Sequence, residues 1–582
     1  MNPRPTRLAF KLINLFSSPW SAWLLIGGLF CAYAVGFALM PLGPVFWSPD
    51  EGGKYLLVGQ LAAGFGPGAA LAYPGAGVDP TLDHVPLLYW LGDSEAIYSW
   101  WPVWFPLISA PFFGWLGMAG LYVLPLAGSL ITAFLVYRAL FSLGPVHGRG
   151  VASVAAGLVA LTTPLFFYTF TFWEHTLQVA LILAAFYLLV NDNSVARLPS
   201  RPFLAGICLG LAIYLRLESV IFVLAAGLAM ILWGTTAPGT WVQRLGGLVK
   251  QRAAFGIGLL LAVTPLFLFN GLVEGHWLGR RYASDVAAAL ERAADPSSSW
   301  AMRLLPALAV GGTDHNGVTL QPLLAWLFVL AWGLMLAAPW LLRRGWAVPV
   351  FVAGFTLVGL SGLALVDPTP YASVHGLVLI APAISFGTWA LVVPDTPTRR
   401  WGWLAVTSLL GYLLFSLLAG WPGQGGLQWG PRYALPLYPV WIIAGTLGLF
   451  GQLRAADEAA RLSGRVMLGL ALLMVGIGAG FQIRGVTKMA ETRMDLGGGA
   501  AQLLALPPDT LLITDVNYLA LSMPAVYTTH TLLFDSAVFA EGGISGWSQR
   551  AGALGYGEVC AVTTGNTKTG LRLRCLPAEG GP

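Results

Sequence analysis

Charged side chains are scarce in this 582-residue sequence, since Asp, Glu, Lys and Arg together make up only 10% of it. A soluble globular domain has about 25%. Hydrophobic residues account for 57%, and the mean hydropathy is +0.72. This composition excludes a soluble globule and predicts an α-helical polytopic membrane protein. A helical span needs roughly 20 apolar residues, and we expect about 13 transmembrane helices. The clearest apolar runs are 22–40, 121–143, 151–170 and 255–269.

Signatures of soluble enzymes are also missing. The sequence has no Walker lysine loop, no GxGxxG after a strand, no CxxC pair and no HExxH motif, which argues against nucleotide-driven chemistry. Its net charge of +5 comes from dispersed Lys and Arg rather than from a dense basic stripe, so no nucleic-acid partner is expected. No cleavable signal peptide is evident, and the first apolar run is expected to stay as a span.

Cysteines are few, with four in the whole chain. Cys31 and Cys208 lie in apolar runs, where a cysteine is usually an inert packing residue. Cys560 and Cys575 lie in two predicted strands near the C-terminus. A disulfide between them would agree with an oxidising exterior. Two free thiols are the alternative.

Basic residues predict the orientation of the spans. With a cytoplasmic N-terminus and alternating spans, every predicted inner loop obeys the positive-inside rule. The region 202–233 has room either for two short spans around Arg216 and Glu218 or for one long span with a buried ion pair. We expect a bacterial-type inner membrane protein whose active site lies outside. The basic residues that fall inside are Arg138, Arg149, Arg197, Arg201, Arg244, Lys250, Arg252, Arg343, Arg344, Arg399, Arg400, Arg454, Arg461 and Arg465.

Composition also divides the chain into two predicted domains. Residues 1–484 are expected to form a transmembrane catalytic domain with a long first external loop, 41–104, and a second external loop, 271–317. A loop as long as the first is usually functional or disordered. Residues 485–582 have a near-soluble composition and predict a small extracytoplasmic α/β domain. Its expected strands are 511–515, 525–531, 559–564 and 571–576, with a helix at 496–506, and a further helix is expected at 51–61.

Two adjacent acids, Asp50 and Glu51, directly follow the first span, with Pro49 before them and two glycines after. They fit a helix start, where acidic residues are common. At the end of a span, partial desolvation would also raise the pKa of a carboxyl toward that of a general base. We therefore regard both as catalytic candidates. Asp50 is favoured as the base, with Glu51 orienting a loop or a helix end.

A second acidic position, Glu174 followed by His175, lies between two predicted helices at the outer face. It is either a capped tight turn or a second catalytic carboxylate that, with Asp50, binds the acceptor or a divalent ion. His175 would then donate to a phosphate or fix Glu174. Arg216 and Glu218 interrupt an apolar region, where an ionisable residue costs roughly 2.5–3.5 kcal/mol. A structural ion pair and a ligand contact are equally compatible with them.

Basic residues on the predicted outer face indicate an anionic ligand. Arg280 and Arg281 lie in the second external loop, which breaks the positive-inside pattern. Arg432 and Tyr433 follow a Gly-Pro break at the outer mouth of a late span. The arginine could merely extend to the interface, but a stiffly held guanidinium also offers forked donors that suit phosphate.

In this order the motifs resemble those of the GT-C superfamily of membrane glycosyltransferases, near the protein O-mannosyltransferase and lipid A aminoarabinose transferase branch. The matching positions are Asp50-Glu51 in the first external loop, Glu174 at the second external turn, the Arg216/Glu218 break and Gly430-Pro431-Arg432-Tyr433. Many relatives carry Asp where this chain has Glu174-His175, which leaves metal dependence open.

The resemblance implies an inverting transfer of a sugar from a polyprenyl-phosphate donor to a hydroxyl of an extracytoplasmic glycan, lipid or protein. Asp50 would be the general base, and Arg432 with Arg280 or Arg281 would meet the charge of the polyprenyl phosphate. Membrane lipids are further expected partners, and a divalent cation is the one cofactor considered. A lipid-linked glycan flippase, which should have broken helices and inverted repeats, and a glycan polymerase or ligase are the alternatives.

Overall fold

The computed structural model describes most of the chain. The described residues are 20–91, 96–142, 148–191, 200–235, 241–294, 304, 308, 313–314, 317–318, 322–365, 376–378, 380–419, 429–453, 458–516, 518–540, 542–564 and 571–579. They divide into two compact units. The helical unit comprises Met1–Ala34, Pro125–Phe170 and Glu174–Gly485, and the α/β unit comprises Val35–Leu124, Thr171–Trp173 and Val486–Pro582.

Helices dominate the described part of the chain. They are α1 Ser21–Leu39, α2 Pro49–Ala62, α3 Trp104–Leu116, α4 Val123–Ser142, α5 Gly148–Thr162, α6 Leu165–Thr169, α7 His175–Val190, α8 Ser200–Leu215, α9 Val220–Thr235, α10 Trp241–Val273, α11 Arg280–Ala294, α12 Pro322–Ala337, α13 Ala347–Leu365, α14 Thr396–Ala419, α15 Leu437–Leu453, α16 Glu458–Leu504, α17 Leu519–Ser522, α18 Pro524–Thr529 and α19 Gly543–Ala553. Short 3₁₀ helices are Gly117–Tyr122, Leu217–Ser219, Ala338–Arg344, Pro382–Val392 and Arg432–Ala434.

Within the described residues, 6 helical segments are long and apolar enough to cross a membrane: Ser21–Leu39, Trp104–Ser142, Arg252–Val273, Leu323–Leu342, Thr396–Leu418 and Arg461–Leu504. Further apolar helices of 10–17 residues, such as His175–Val190 and Leu437–Leu453, accompany them. The mostly helical, apolar character predicted from composition is therefore confirmed. The total of about 13 transmembrane helices stays a prediction.

The region 202–233 forms two short helices, α8 and α9, rather than one long helix. Arg216 adopts an extended backbone with φ −155° and ψ 123°, and the 3₁₀ turn Leu217–Ser219 follows it. The Ser219 hydroxyl donates to the Ala212 carbonyl at 3.0 Å and accepts from Gln178 Nε2 at 2.8 Å. Because these bonds replace part of the interrupted helical ladder, the break is stable inside an apolar bundle.

Helices α8 and α10 pack closely through glycines. A Cβ added at Gly206 would lie 2.1 Å from the Phe255 carbonyl oxygen, and one at Gly258 would lie 2.1 Å from the Phe203 carbonyl oxygen. Small residues at such crossings let two backbones approach, which is a common device in membrane helix pairs. The helical unit is thus held together by close backbone contacts as well as by large apolar side chains.

The α/β unit contains a four-stranded sheet in the order β6-β5-β7-β8, made of Thr510–Thr514 (β5), Leu532–Phe534 (β6), Glu558–Thr564 (β7) and Leu571–Pro577 (β8). Strands β6, β5 and β7 are parallel, and β8 is antiparallel to β7. Every residue of β5 is buried, as expected for a central parallel strand. Cys560 pairs with Cys575 across β7 and β8, and the two form a disulfide. Two-stranded hairpins are formed by β1 Tyr89–Leu91 with β2 Ile97–Ser99 and by β3 Thr313–Asp314 with β4 Gly317–Val318.

One expectation for the C-terminal region is wrong. The predicted strand 525–531 is helix α18, and the strand at this place in the sheet is β6. Pro524 explains the helix, because its fixed φ suits the first helical position, and the Tyr527 hydroxyl, donating to the Ala72 carbonyl at 2.8 Å, anchors it. The predicted helix at 496–506 is helical up to Leu504 and forms the last part of the 47-residue helix α16.

Candidate active site

Helix α2 begins at the acidic pair with a complete capping box. The Ser48 hydroxyl accepts from the Asp50 amide at 3.2 Å, and the Glu51 carboxylate accepts from the Ser48 amide at 3.1 Å. Pro49 occupies the first helical position, where its missing N–H is no loss. Asp50 consequently lies in the first turn of a well-capped helix, half-buried, beside the positive end of the helix dipole.

Glu51 is fully buried and is bonded through both carboxylate oxygens. Its Oε1 accepts from Arg493 Nη2 at 3.0 Å and from the Phe172 amide at 2.7 Å, while Oε2 accepts from Ser48. The side chains of Glu51 and Arg493 are both 0% exposed. Burial raises the pKa of the Glu51 carboxyl, and the charge of Arg493 opposes that rise. We call this ion pair the Arg493 pair.

Arg493 is the residue that sequence reasoning missed. It lies on α16, and its guanidinium carbon lies 5.5 Å from the centre of the Tyr122 ring. The available signal was a series of basic residues at the C-terminal end of the last apolar run, Arg484, Lys488 and Arg493. Their partners were not visible in the sequence, because Glu51 is 442 positions away.

The two glycines after the acidic pair let α2 pack closely against its neighbours. A Cβ at Gly52 would lie 1.5 Å from the Leu521 carbonyl oxygen, and a Cβ at Gly53 would lie 1.9 Å from the Trp101 ring. Mid-helix glycine costs about 1 kcal/mol relative to alanine. The close contacts explain why glycine is nevertheless present at both positions.

Lys54 is a second base near the acidic pair. It is buried, its ammonium lies 5.9 Å from the centre of the Trp173 ring, and Trp173 packs edge-on against Trp47. Lys54 stands four residues after Asp50, so both side chains lie on one face of α2. The sequence showed Lys54 as a base of the first loop but gave no reason to place it in the site.

Other acids of the first loop have structural partners. Asp79 is fully buried and accepts from the Tyr73 hydroxyl at 2.7 Å and from the amides of Asp83 and His84. Burial and this neighbouring carboxylate raise the pKa of Tyr73. Asp79 therefore folds the loop. Asp93 and Glu95 lie outside the described residues.

In the helical unit, Arg216 binds two carboxylates at once. Its Nη1 donates to Glu174 Oε1 and its Nη2 donates to Glu218 Oε1, each at 2.8 Å. The three side chains are 6%, 5% and 14% exposed, respectively. The structure thus unites the Glu174 position with the Arg216/Glu218 break, which the sequence had left as separate features. We call these three residues, together with Tyr433 and Arg432, the Arg216 cluster.

The Tyr433 ring lies near two guanidinium groups. The guanidinium carbons of Arg216 and Arg432 are each 5.3 Å from the centre of its ring, and Arg432 Nη2 donates to its hydroxyl at 3.4 Å. Cations over an aromatic face are attracted to it, more strongly where water is excluded. The Tyr433 ring therefore contacts the buried guanidinium groups of both arginines.

The backbone around Arg432 is fixed by a neighbouring tyrosine. Gly430 has φ +74°, a conformation that favours glycine, and the Trp429 amide donates to the Tyr168 hydroxyl at 3.2 Å. Tyr168 also packs edge-on against His175, with ring centres 5.1 Å apart. His175 is fully buried against this tyrosine. Gln428, which begins the motif in the sequence, lies outside the described residues.

Arg280 and Arg281 begin α11 and have different surroundings. Arg280 donates from Nε to the Glu274 carbonyl at 2.7 Å. The Arg281 guanidinium carbon lies 5.9 Å from the centre of the Tyr282 ring, and the Tyr282 hydroxyl accepts from the Leu217 amide at 3.2 Å. Tyr282 therefore links Arg281 to the chain break beside Arg216. Arg280 is tied to its own loop.

Each unit thus contains one group of the predicted site residues. Asp50 and Glu51 belong to the α/β unit with the Arg493 pair, whereas Glu174, Arg216 and Arg432 belong to the helical unit. A shared divalent ion between Asp50 and Glu174 stays a prediction. Within its own group, Glu174 already faces the positive charge of Arg216.

Solved structures that resemble this chain belong to the GT-C superfamily. One is ArnT from Cupriavidus metallidurans bound to undecaprenyl phosphate, with a TM-score of 0.47, 13% identity and 94% of each chain covered. Another is the archaeal oligosaccharyltransferase AglB from Archaeoglobus fulgidus in complex with an inhibitory peptide and a dolichol-phosphate, with a TM-score of 0.41, 12% identity and coverage of 94% of this chain and 70% of that one. No family model and no curated protein matches the chain. Because these TM-scores and identities are low, the function of the site has to be argued from the residues of this chain.

Proposed function

We propose that this protein is an inverting glycosyltransferase that moves a sugar from a polyprenyl-phosphate donor to a hydroxyl of an extracytoplasmic glycan, lipid or protein acceptor. The carrying observation is the position of Asp50. Asp50 is half-buried in the first turn of helix α2, and Glu51 fixes the start of this helix by accepting hydrogen bonds from protein donors at both of its oxygens. A base must be held in position and still reach its substrate, and Asp50 meets both conditions.

In the proposed reaction, Asp50 takes the proton of the acceptor hydroxyl while that oxygen attacks C1 of the sugar. The bond from C1 to the phosphate oxygen breaks, and its electron pair leaves with the polyprenyl phosphate. The products are the glycosylated acceptor, with inverted configuration at C1, and a polyprenyl phosphate. Glu51 acts as a positioning residue in this scheme, because its oxygens are already engaged.

The negative charge of the leaving phosphate needs fixed donors. Arg432 and Arg281 are the best candidates, since each lies against a tyrosine ring that limits its motion. Arg280 is less suited, because its Nε donates to a backbone carbonyl. Glu174 holds Arg216 through a 2.8 Å bond, and we assign it that positioning role instead of proton transfer.

The direct test is Asp50→Asn in the full-length protein, assayed with polyprenyl-phosphate-linked sugars extracted from native membranes. General base catalysis contributes about 10²–10⁴-fold, so a loss of that size in the release of polyprenyl phosphate is expected. Mass spectrometry of the lipid products measures it. Asp83→Asn is the matched control, because Asp83 is an exposed acid of the same loop.

A folded Asp50→Asn protein that retains full activity would overturn the assignment. The flippase alternative has a different signature, which is net movement of the lipid-linked sugar across a proteoliposome without a new glycosidic bond. A polymerase or ligase would instead give products that grow by whole glycans.

A further inference from the structure

The four-stranded sheet of the α/β unit has two edge strands, β6 and β8, and the edge at β6 is covered. The Phe534 amide donates to the His84 carbonyl at 2.7 Å, and the Phe534 carbonyl oxygen lies 2.9 Å from His84 Nδ1. A free sheet edge is a template for pairing with another chain, and proteins commonly cover it. The chain around His84 closes the edge at β6 in this way.

The edge at β8 is open. Directly beyond the two paired strands, the Ala578 amide donates to the Gly557 carbonyl at 3.1 Å. Hydrogen-bonded and non-hydrogen-bonded pairs alternate along an antiparallel ladder, so every second residue of β8 directs its N–H and C=O away from β7. These residues are Leu571, Leu573 and Cys575. Within the described part of the chain, no further hydrogen bond is made to the backbone groups of these three.

Strand β8 is held firmly in its place. The disulfide between Cys560 and Cys575 joins it to β7. At its end, the Ser548 hydroxyl donates to the Pro577 carbonyl at 2.6 Å, and Pro577 has no N–H to offer. A strand that is already fixed loses little conformational freedom when a partner binds. The open edge is therefore preorganised for strand pairing.

The two faces of β8 differ in character. Arg572 and Arg574 lie on one face and Leu571 and Leu573 on the other, because side chains alternate along a strand. Both arginines are exposed, and neither forms an ion pair with any described residue. Leu573 is 37% exposed. A strand added at this edge would meet a basic row on one face and an apolar row on the other.

A second copy of this chain does not suit the edge. In an antiparallel pair of β8 strands centred on Leu573, Arg572 of each copy would face Arg574 of the other. Like charges directly opposite each other destabilise a strand pair, whereas opposite charges stabilise it. The charge of β8 therefore favours a partner with acidic residues at alternate positions.

We propose that β8 binds an extended segment of a partner polypeptide, which adds a strand to the sheet. The segment alternates acidic and apolar residues, with its acids opposite Arg572 and Arg574 and its apolar side chains beside Leu571 and Leu573. In strand addition, main-chain hydrogen bonds supply affinity and alternate side chains supply specificity. This interaction does not depend on the reaction proposed above.

The test uses the full-length protein in micelles of a neutral detergent at physiological ionic strength. The probe is a fluorescein-labelled peptide in which Glu and Val alternate, and fluorescence anisotropy gives its affinity. A peptide of the same composition, with Glu and Val in separate blocks, is the comparison. We expect the block peptide to bind at least about tenfold more weakly, because it cannot place its acids on one face. Equal binding of both peptides, or no binding of the alternating one, would overturn the proposal.

The variant Leu573→Pro tests the main-chain bonds. It removes an amide that points away from β7, and proline is tolerated in an edge strand at such a position. We expect the alternating peptide to bind about tenfold more weakly, because a peptide carbonyl loses its donor. Leu573→Val is the matched control, since it keeps the amide, and it should change the affinity by less than about twofold. Equal affinities of these two variants would contradict strand addition.

The double variant Arg572→Gln/Arg574→Gln tests the charge, and it also serves if Leu573→Pro does not fold. Each opposite-charge pair across two strands contributes up to about a fivefold change in affinity, so about tenfold weaker binding is expected. Arg550→Gln is the control, because Arg550 is an exposed arginine of the same unit outside the sheet. It should change the affinity by less than about twofold. Unchanged binding in the double variant would overturn the acidic partner.

The oligomeric state decides against or for a second copy as the occupant. Light scattering over a range of protein concentrations should show no association through β8. A dimer that forms with rising concentration and disappears in Leu573→Pro would identify a second copy on this edge and would overturn the proposal.

Discussion

The Arg493 pair and the Arg216 cluster each bury an arginine against carboxylates, but they satisfy the charges in opposite ways. In the first, one carboxylate collects three donors, from Arg493 and from two backbone amides. In the second, one guanidinium serves two carboxylates. A buried charge needs hydrogen-bonding partners to be stable. In the first region one acid gathers several donors, and in the second one base gathers two acceptors.

The difference indicates what each region can do. Both carboxylate oxygens of Glu51 already accept hydrogen bonds from the protein, so the Arg493 pair is suited to fixing the start of α2. In the Arg216 cluster, the buried Oε2 of Glu218 has no hydrogen-bond partner among the described residues. The second region therefore retains polar capacity that a bound molecule can use.

Removing the arginines should give the largest effects. Breaking a buried ion pair typically costs about 3–5 kcal/mol. Arg216→Met is expected to be at the upper end, because it removes the cation that two buried carboxylates share. Arg493→Met should cost less, since Phe172 and Ser48 still donate to Glu51. Equilibrium unfolding in mixed micelles measures both free energies.

Arg484→Met is the control for this pair of variants, because Arg484 is exposed on the same helix as Arg493. It should change the free energy of unfolding by less than about 0.5 kcal/mol. If Arg493→Met proved the more damaging of the two substitutions, the compensation attributed to the backbone amides would be wrong.

Altering the packing of α2 should have an intermediate effect on stability. Gly52→Ala places a methyl group 1.5 Å from the Leu521 carbonyl oxygen, so the helix must shift. Overpacking of this kind costs about 1–3 kcal/mol, and activity should fall further than stability because Asp50 moves with the helix. Parallel thermal denaturation and turnover measurements separate the two quantities.

Gly59→Ala provides the comparison within the same helix. A Cβ there meets nothing within 4 Å, so the change should be neutral or stabilising by up to about 1 kcal/mol. If Gly52→Ala and Gly59→Ala lose the same activity, the loss at Gly52 does not come from a shift of α2.

The smallest effect is expected for Glu218→Gln. Arg216 keeps Glu174 as a partner, and Glu218 is the most exposed of the three side chains, so about 1 kcal/mol or less should be lost. Glu174→Gln should cost more, because Glu174 is more deeply buried. The unfolding free energies of Glu218→Gln and Glu174→Gln are measured and compared. If Glu218→Gln loses more, Glu218 is the main partner of Arg216.

Local features of the fold were predictable from the sequence. The helix start at Asp50 and Glu51 follows from an adjacent serine, proline and acid, all within four residues. Strands β5, β7 and β8 follow from local apolar patterns. The wrong strand at 525–531 shows the limit of that approach, since one proline at position 524 outweighed a β-type pattern.

The long-range parts of the candidate site could not be predicted. Glu51 and Arg493 are 442 residues apart, and Glu174 and Arg216 are 42 apart. A single sequence states which residues carry charge but not which ones the fold brings together. It also gave no means of telling that Glu51, and not Asp50, would be the buried member of the pair.

The 47-residue helix α16 has a consequence for how the chain can vary. At 3.6 residues per turn, each residue inserted in a helix rotates everything after it by about 100°. One residue added between Arg484 and Arg493 would turn the guanidinium away from Glu51 without changing a single side chain. Insertions and deletions in homologous chains should therefore be absent between Arg484 and Arg493. The number of residues in this stretch should be conserved as well as their identity.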